Sequence, residues 1–205
     1  MTVSTDAPPH VVGVDLSLTA TGMAWPDGWT MTHGKAGLST IADPATRVHA
    51  LKDLVTELTL RIVGRTYMGS GLPALVIMEG LIKRGGSAGI STEKAYVWWR
   101  LVEALNDAGL PVMEASVSTG KLYLTGHGDA NKREMVDAVR KHFPEWEIRK
   151  TGAKGQPLKT DDENKADAVA FMALGCELLG RPLVDLPAVN RTALEKLTLP
   201  PGVRQ

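Results

Sequence analysis

The fold is decided by the stretch "VVGVDLSLTATGMAW", residues 11–25. Strand-forming residues run up to one ionisable residue, Asp15, and are followed by small residues, a glycine and a second apolar segment. This pattern predicts a buried strand over residues 11–15 that returns as a second strand over Gly22–Trp25. An acidic group at the end of an otherwise apolar strand is unusual in a core, so Asp15 is a candidate functional residue.

The sequence around this stretch predicts a mixed α/β fold. A "PDG" turn leads into a third strand, and a continuous apolar run, "ALVIME", is typical of a strand buried on both sides. The predicted elements after the second strand are a strand over Trp29–Lys35, a helix over Pro44–Arg65, a strand over residues 74–79, a helix over 93–108, a strand within 109–116, a short helix, a helix starting near Ala130 and a long helix over Asp161–Leu179. We therefore expect a three-stranded antiparallel meander joined to parallel strands, with helices on both faces of the sheet.

Composition limits the class of protein. The chain has 205 residues, 43% of them hydrophobic, which suits one domain with a real core. Twenty-three basic and 23 acidic residues cancel, so any attraction to nucleic acid must come from local patches. The single cysteine, Cys176, excludes an internal disulfide and a Cys-rich zinc site, and its apolar helical setting favours a small buried side chain.

Domain boundaries and location follow from the same patterns. We predict a flexible leader over residues 1–10, one domain over 11–182 and a partly disordered C-terminal extension over 183–205. The sequence has no apolar run of membrane-spanning length, and its N-terminus lacks the charged and apolar regions of a signal peptide. The prediction is a cytoplasmic protein.

Three carboxylates are predicted to lie near one edge of the sheet. Asp15 and Glu79 end two strands, and Asp167 lies in the first two turns of the last long helix, just before its apolar face. Chemistry in such sheets collects at strand ends, where side chains converge on a rigid scaffold. Three acids beside a core would repel one another unless a cation joined them.

The residue types indicate which cation this is. Carboxylates without a His/Cys cluster favour Mg²⁺ or Mn²⁺ over zinc. Two such ions, about 3.5–4 Å apart and bridged by a carboxylate, can activate water and stabilise the leaving oxygen of a phosphodiester. The pattern therefore predicts a nuclease with two divalent ions in its site.

Four blocks of the sequence resemble the RuvC-type Holliday-junction resolvases of the ribonuclease H-like superfamily, with phage-encoded members as the nearest type. The blocks are "VVGVDLSLTATGMAW", "ALVIMEG", "TGKLYLTGHGDANKREMV" and "ENKADAVAFMALG", which occur in the family's order between residues 11 and 180. The resemblance is more specific for the fold than for resolvase activity, because transposases and other nucleases share this core.

The resemblance assigns roles to individual residues. It implies that Asp15 is the bridging carboxylate of the first strand, that Glu79 is the acid of the central strand and that Asp167 is the helix acid. Lys121 and Lys132 match the family's basic positions, which implies that they contact backbone phosphates or stabilise charge in the transition state.

One departure from the family lies one helical turn before the helix acid. The family has a second Asp or a His there, whereas this chain has Asn164, whose amide oxygen can bind a hard cation but adds no charge and cannot act as a base. Glu163, four residues before Asp167, could supply the missing carboxylate, with Asp162 in reserve. Alternatively, Glu163 forms a capping box with Thr160.

A second departure concerns the glycine-rich loop after Glu79. Some family members insert an aromatic wedge into the junction from this loop, whereas this chain has Ile82, which could act as an apolar wedge or simply cover a helix. Lys83 and Arg84 are candidate phosphate contacts or ordinary solvated charges.

The resemblance implies a homodimer that cuts four-way or branched DNA. Two sites related by a two-fold axis would nick strands of like polarity and leave a 5′-phosphate and a 3′-hydroxyl. Tyr96, Trp98 and Trp99 lie on the helix that contributes to the dimer contact in the family, although aromatic pairs on helices are also common in cores. We expect the protein neither to associate with a membrane nor to use a nucleotide cofactor.

Other functions stay open from sequence alone. The nuclease could prefer flaps or forks, or the chain could be a junction-binding module with weak catalysis, which Asn164 makes conceivable. "SLTATG" after Asp15 also resembles the phosphate-binding opening of actin-like ATPases and sugar kinases. Those enzymes usually need a second, repeated domain, and we find no repeat in the sequence.

Overall fold

The computed structural model describes residues 10–67, 75–81, 91–146 and 160–203. The strands are β1 (Val11–Asp15), β2 (Thr21–Ala24), β3 (Thr30–His33), β4 (Leu75–Glu79) and β5 (Val112–Ala115). The helices are α1 (Pro44–Tyr67), α2 (Thr92–Asp107), α3 (Val117–Thr125), α4 (Lys132–His142), α5 (Thr160–Leu178) and the short α6 (Ala188–Arg191), with 3-10 turns at Leu38–Thr40 and Leu194–Lys196.

The five strands form one mixed sheet in the order β3-β2-β1-β4-β5. β1, β2 and β3 pair antiparallel, and β4 and β5 extend the sheet in parallel with β1. β1 is therefore a central strand, which is consistent with the complete burial of all five of its residues. The predicted meander joined to parallel strands is confirmed.

One face of the sheet is covered by α1 and α2. Alternate residues of the strands point to this face because side chains in a strand alternate with a period of two. The buried strand residues on it are Val12, Val14, Met23, Val76 and Met78, which pack with α1 residues such as Leu54, Leu58 and Ile62 and with α2 residues such as Val97 and Leu101.

The opposite face is covered mainly by α5, with α3 and α4 beside it. α5 lies so close to β1 that a Cβ on Gly13 would be 1.9 Å from the Ala168 carbonyl oxygen. The approach is mutual, since a Cβ on Gly175 of α5 would be 2.6 Å from the Val11 Cγ1 atom. Glycines on both elements thus let a helix and a strand pack with almost no side chains between them.

The segment that follows α5 also packs against this face. Leu186 and Ala193 are buried in the core that α5 covers, and Asn190 donates a hydrogen bond from Nδ2 to the Tyr123 carbonyl oxygen in α3 (2.7 Å). The Tyr123 hydroxyl donates to Glu177 Oε2 of α5 (2.8 Å), and Arg191 donates from Nε to Glu177 Oε1 (2.6 Å). The C-terminal segment therefore ties α3 to α5.

Element boundaries differ from the prediction by a few residues where local capping decides them. α4 begins at Lys132 because Asn131 accepts hydrogen bonds from the Arg133 and Glu134 backbone N–H groups, and Glu134 Oε2 accepts from the Asn131 N–H. This capping box places the helix start two residues after Ala130. β3 is shorter than predicted at both ends.

Candidate active site

Asp15 and Glu79 lie at the same edge of the sheet. β1 and β4 run in parallel with Val14 opposite Met78, so one further residue along each strand places Asp15 beside Glu79. Both side chains alternate to the face that carries α5, the face to which Gly13 also points. Only 9% of Asp15 is exposed, and the Glu79 side chain is 18% exposed.

Asp167 reaches this edge from α5. It directly precedes Ala168, whose carbonyl oxygen lies over Gly13 of β1, two residues before Asp15. The negative charge of Asp167 raises the pKa of Asp15, so the two carboxyl groups lie within electrostatic range of each other. The structure thus brings together the three predicted carboxylates from residues that are widely separated in sequence.

Burial and mutual repulsion raise the pKa of two of these acids. The pKa of Asp15 lies well above its usual value, first because burial disfavours the charged form, then because of the charges of Asp167 and Glu79, and also through a hydrogen bond with the Glu79 side chain. Burial raises the pKa of Asp167 to about 6, and the positive charges of Lys121 and Lys132 partly offset this effect. The site favours an added positive charge.

Two lysines form ion pairs with acidic side chains at the site. Lys94 of α2 donates from Nζ to Glu79 Oε2 at 2.8 Å, and Lys132 of α4 donates from Nζ to Glu163 Oε2 at 2.5 Å. The pair with Glu163 raises the pKa of Lys132, and Asp167 and Asp15 add to the increase. Lys132 therefore belongs to the electrostatic surroundings of the site, as does Lys121 through its effect on Asp167.

The Lys94 contact was not predicted from sequence. Lys94 lies 15 residues after Glu79, beyond the glycine-rich loop, so no local spacing indicates the pair. α2 also holds the main chain of β4, because Trp98 donates from Nε1 to the Glu79 carbonyl oxygen at 2.8 Å. One sequence signal could have suggested the pair between Lys94 and Glu79. This signal is a polar residue in the first turn of the helix that follows an acidic strand end.

Asn164 and Asp162 are both buried at the start of α5. Asn164 donates from Nδ2 to the Ala20 carbonyl oxygen, so its amide nitrogen faces the β1–β2 loop. A Cβ on Gly22 would lie 2.1 Å from the Asn164 carbonyl oxygen, which fixes the backbone of this turn against β2. Asp162 is 5% exposed. Whether Asn164, Glu163 or Asp162 completes a metal site stays a prediction.

The donor set fits a hard divalent cation. It includes two carboxylates whose pKa values are raised first by burial and then by neighbouring negative charges, and carboxylate oxygens are the ligands that Mg²⁺ and Mn²⁺ prefer. Among the described residues, no three His, Cys, Asp or Glu side chains are already arranged to hold a metal ion. The Lys94 and Lys132 ion pairs each engage an oxygen of a candidate metal ligand, Glu79 and Glu163 respectively.

Other predicted contacts fall outside the described ranges or away from the acids. Ile82, Lys83 and Arg84 lie outside the described residues. Trp98 is buried and belongs to the core, whereas Trp99 is 63% exposed and touches it edge-on, with ring centroids 4.8 Å apart.

In the part of the chain that the structure describes, no helix has the length and apolarity needed to cross a membrane.

Comparison with known proteins supports the architecture. No protein-family model and no curated protein sequence matches the chain. Among solved structures, RuvC from Thermus thermophilus matches 91% of this chain and 95% of its own with a TM-score of 0.50 and 18% identity. This chain has the RuvC-type fold. T. thermophilus RuvC in complex with a Holliday junction substrate matches equally well (TM-score 0.50, 15% identity, 92% of this chain and 95% of that one). The predicted ribonuclease H-like α/β fold is confirmed by the RuvC-type match and by the sheet order.

Proposed function

We propose that this protein is a divalent-metal-dependent endonuclease that cuts Holliday junctions or other branched DNA. The observation that carries the proposal is the meeting of Asp15, Glu79 and Asp167 at one edge of the sheet, where burial and mutual repulsion raise the pKa of two of them. Such a group is unfavourable for a structural protein and is suited to binding cations. The RuvC-type fold supports DNA cleavage as the use of this site.

The acidic residues of the site would bind the metal ions. Asp15, Glu79 and Asp167 would hold Mg²⁺ or Mn²⁺ ions, with Asn164, Glu163 or Asp162 completing the set of ligands. When bound, such ions activate water and stabilise the leaving oxygen of a phosphodiester. Asp15 and Asp167 are fixed by the close packing of α5 on β1, so they orient the scissile phosphate for in-line attack.

Lys121 and Lys132 would bind the phosphates of the substrate. Both are near enough to Asp167 to lower its pKa, and the Lys132 side chain is 60% exposed, so it is accessible to DNA. A lysine ammonium beside a reacting phosphate stabilises the charge that grows in the transition state. Ile82, Lys83 and Arg84 would extend the DNA contact from the loop after Glu79.

Branched DNA and a two-fold dimer form the finer part of the proposal. The T. thermophilus RuvC that shares this fold has been solved with a Holliday junction substrate, and that likeness favours branched DNA here. The exposed Trp99 and Leu60 lie on α2 and α1, the two helices that cover one face of the sheet, and they give this layer apolar surface suited to a second copy. Replacement of Trp99 with Glu should therefore lower the dimer fraction measured by light scattering without unfolding the chain.

The proposal is tested by cleavage of a synthetic immobile four-way junction, with flap, fork and linear duplex DNA as controls. The wild type, Asp15→Asn and the matched surface variant Glu103→Gln are compared in Mg²⁺ and in EDTA. Paired nicks that need Mg²⁺, persist in Glu103→Gln and vanish in Asp15→Asn support a resolvase. A preference for flaps or forks would broaden the substrate, whereas junction binding without cleavage would contradict the enzyme and favour a recognition module.

A further inference from the structure

Lys94 makes a direct contact with a proposed metal ligand. Its Nζ atom lies 2.8 Å from Glu79 Oε2, and the two side chains are only 29% and 18% exposed. This pair is more shielded from solvent than the Lys132–Glu163 pair, in which the lysine is 60% exposed. Shielding strengthens an ion pair, so the Lys94 contact is the stronger candidate for a defined role.

The position of Lys94 is fixed by its helix. The Ser91 side chain caps α2 by accepting a hydrogen bond from the Lys94 backbone N–H (3.1 Å). Four residues on, Trp98 bonds to the Glu79 carbonyl oxygen, so α2 is attached to the end of β4 through both residues. The ammonium group therefore reaches Glu79 by the geometry of the fold and not by a chance surface conformation.

The positive charge of Lys94 stabilises the acidic groups at the ends of β1 and β4. Glu79 lies beside the buried Asp15, and the positive charge of Lys94 lowers the pKa of Asp15, which favours its ionised form. Without this ammonium, Glu79 would lose its ion-pair partner and the adjacent carboxylates at the strand ends would repel each other more strongly. Lys94 thus supplies one of the positive charges that the site requires.

A bound divalent cation and the Lys94 ammonium would compete for Glu79. Lys94 already engages the Oε2 atom of this carboxylate, and the two positive charges of an ion bound to it would repel the ammonium in a shielded site. A lysine side chain has a flexible four-carbon stem, so the ammonium can swing away while α2 stays in place.

We propose that Lys94 is a positioning residue that holds Glu79 in the metal-free protein and releases it when a divalent cation binds. This inference rests on the proposed metal site but adds a role for a residue on α2. Lys94 stabilises the empty arrangement of the carboxylates and competes with the ion for Glu79. Its release also leaves a free ammonium beside the site when the ions are in place.

The test measures Mn²⁺ binding without DNA, by calorimetry and by electron paramagnetic resonance, together with the melting temperature in EDTA. Lys94→Met should bind Mn²⁺ more tightly, by about threefold to tenfold, because it lacks the competing ion pair. The same variant should melt at a lower temperature in EDTA, and Mn²⁺ should restore more stability to it than to the wild type. Equal or weaker Mn²⁺ binding in Lys94→Met would overturn the proposal.

Matched variants separate the contact from a general loss of charge. Arg100→Met removes a positive charge from an exposed position on the same helix and should leave Mn²⁺ affinity unchanged. In a Glu79→Gln background, Lys94→Met should lose most of its effect, since the coupling runs through the Glu79 carboxylate. An undiminished effect in that background would contradict the direct contact.

A measurement on the wild type tests the proposal even if Lys94→Met does not fold. In protein labelled with ¹⁵N-lysine, the Lys94 ammonium signal should be visible in EDTA and should move or broaden as Mg²⁺ is added, with Lys94→Arg used to assign it. A signal that Mg²⁺ leaves unchanged while the site fills would overturn the proposal. Because none of these readouts uses cleavage, failure of the exchange is distinguishable from failure of the nuclease function, which the junction assay tests separately.

Discussion

Gly13 of β1 and Ala168 of α5 meet backbone to backbone: a Cβ placed on Gly13 would lie 1.9 Å from the Ala168 carbonyl oxygen. The next residue before Ala168 is Asp167, and Asp15 lies two residues after Gly13 on the same face of the strand. Because the contact leaves no room for a side chain at residue 13, the main chains of β1 and α5 approach closely. Glycine at residue 13 therefore lets α5 carry Asp167 to the end of β1 where Asp15 lies.

Replacement of Gly13 with Ala should destabilise the protein and impair cleavage together. The added methyl group must push α5 away from β1, since the neighbouring atoms are backbone. Overpacking of this kind costs about 1–3 kcal/mol in the free energy of unfolding, measured by urea denaturation. Gly64→Ala in α1 is the control, because a Cβ there meets nothing within 4 Å and alanine should stabilise the helix by about 0.5–1 kcal/mol. Equal effects of the two substitutions would contradict the close approach of α5.

The metal-free protein should lose stability as the pH rises from about 4 to about 6. Burial raises the pKa of Asp167 from 3.8 to about 6, so the folded protein holds this proton more tightly than the unfolded chain. Below about pH 4, Asp167 is protonated in both the folded and the unfolded protein. Above about pH 6 it is ionised in both, and the folded state has lost up to roughly 3 kcal/mol of stability relative to the unfolded one. Urea denaturation in EDTA at several pH values measures this slope. Asp167→Asn should flatten it, and a variant with the wild-type slope would contradict the assignment.

Asp15→Asn should raise the melting temperature in EDTA while abolishing activity. Burial and the charges of Asp167 and Glu79 disfavour the ionised Asp15, so removal of that charge relieves the repulsion. Loss of a central metal ligand should lower the cleavage rate by about 10²–10³-fold or more, as removal of an electrostatic stabiliser does in other enzymes. The two readouts move in opposite directions, and such a trade-off is typical of a functional site. A fall in melting temperature would indicate that Asp15 is a structural residue.

Lys132→Met should weaken junction binding and reduce its dependence on salt. Each phosphate contact that a protein loses lowers the slope of log K against log salt by about one unit. Lys132 lies on α4 next to the acids, whereas Lys141, on the same helix, lies beside His127 and Asp137 at another part of the surface. Lys141→Met should leave the slope unchanged in a fluorescence anisotropy titration in Ca²⁺. The same slope change in both variants would show that α4 contacts DNA only diffusely.

Tyr123→Phe should destabilise the protein through the C-terminal segment. The Tyr123 hydroxyl is buried and donates to Glu177 Oε2, which it would leave with one partner fewer. The expected loss is about 1–2 kcal/mol in the free energy of unfolding. In a Glu177→Ala background the substitution should have little further effect, and a full effect there would place the interaction elsewhere.

The fold and the carboxylates could be predicted from sequence because each depends on a local pattern. Buried strands that end in an acid are visible at Asp15 and Glu79, and parallel strands bring their ends to one edge whatever the details of the loops. Asp167 could be predicted because it begins the apolar face of α5. The structure confirms the mixed sheet of an antiparallel meander and parallel strands, and the pairing of β1 with β4 places Asp15 beside Glu79.

The counter-ions could not be predicted because they depend on contacts across the fold. Lys94 is one of several charged residues near the start of α2, and only the docking of that helix on β4 selects it. The partner of Glu163 was uncertain for the same reason, since a capping box with Thr160 has the same local pattern as an ion pair with Lys132 on another helix. The spacing of residues in the sequence identifies a candidate metal ligand, but the packing of the helices decides which basic side chain pairs with it.

The order of the acids along the chain has a consequence for biosynthesis. Asp15 and Glu79 leave the ribosome early, but Asp167 and the helix that covers β1 come only after residue 160. Because domains fold as units and α5 makes the closest contact with β1, we expect a nascent or prematurely released chain to have no assembled site. The proposed site would thus stay unassembled until the α5 segment has been synthesised.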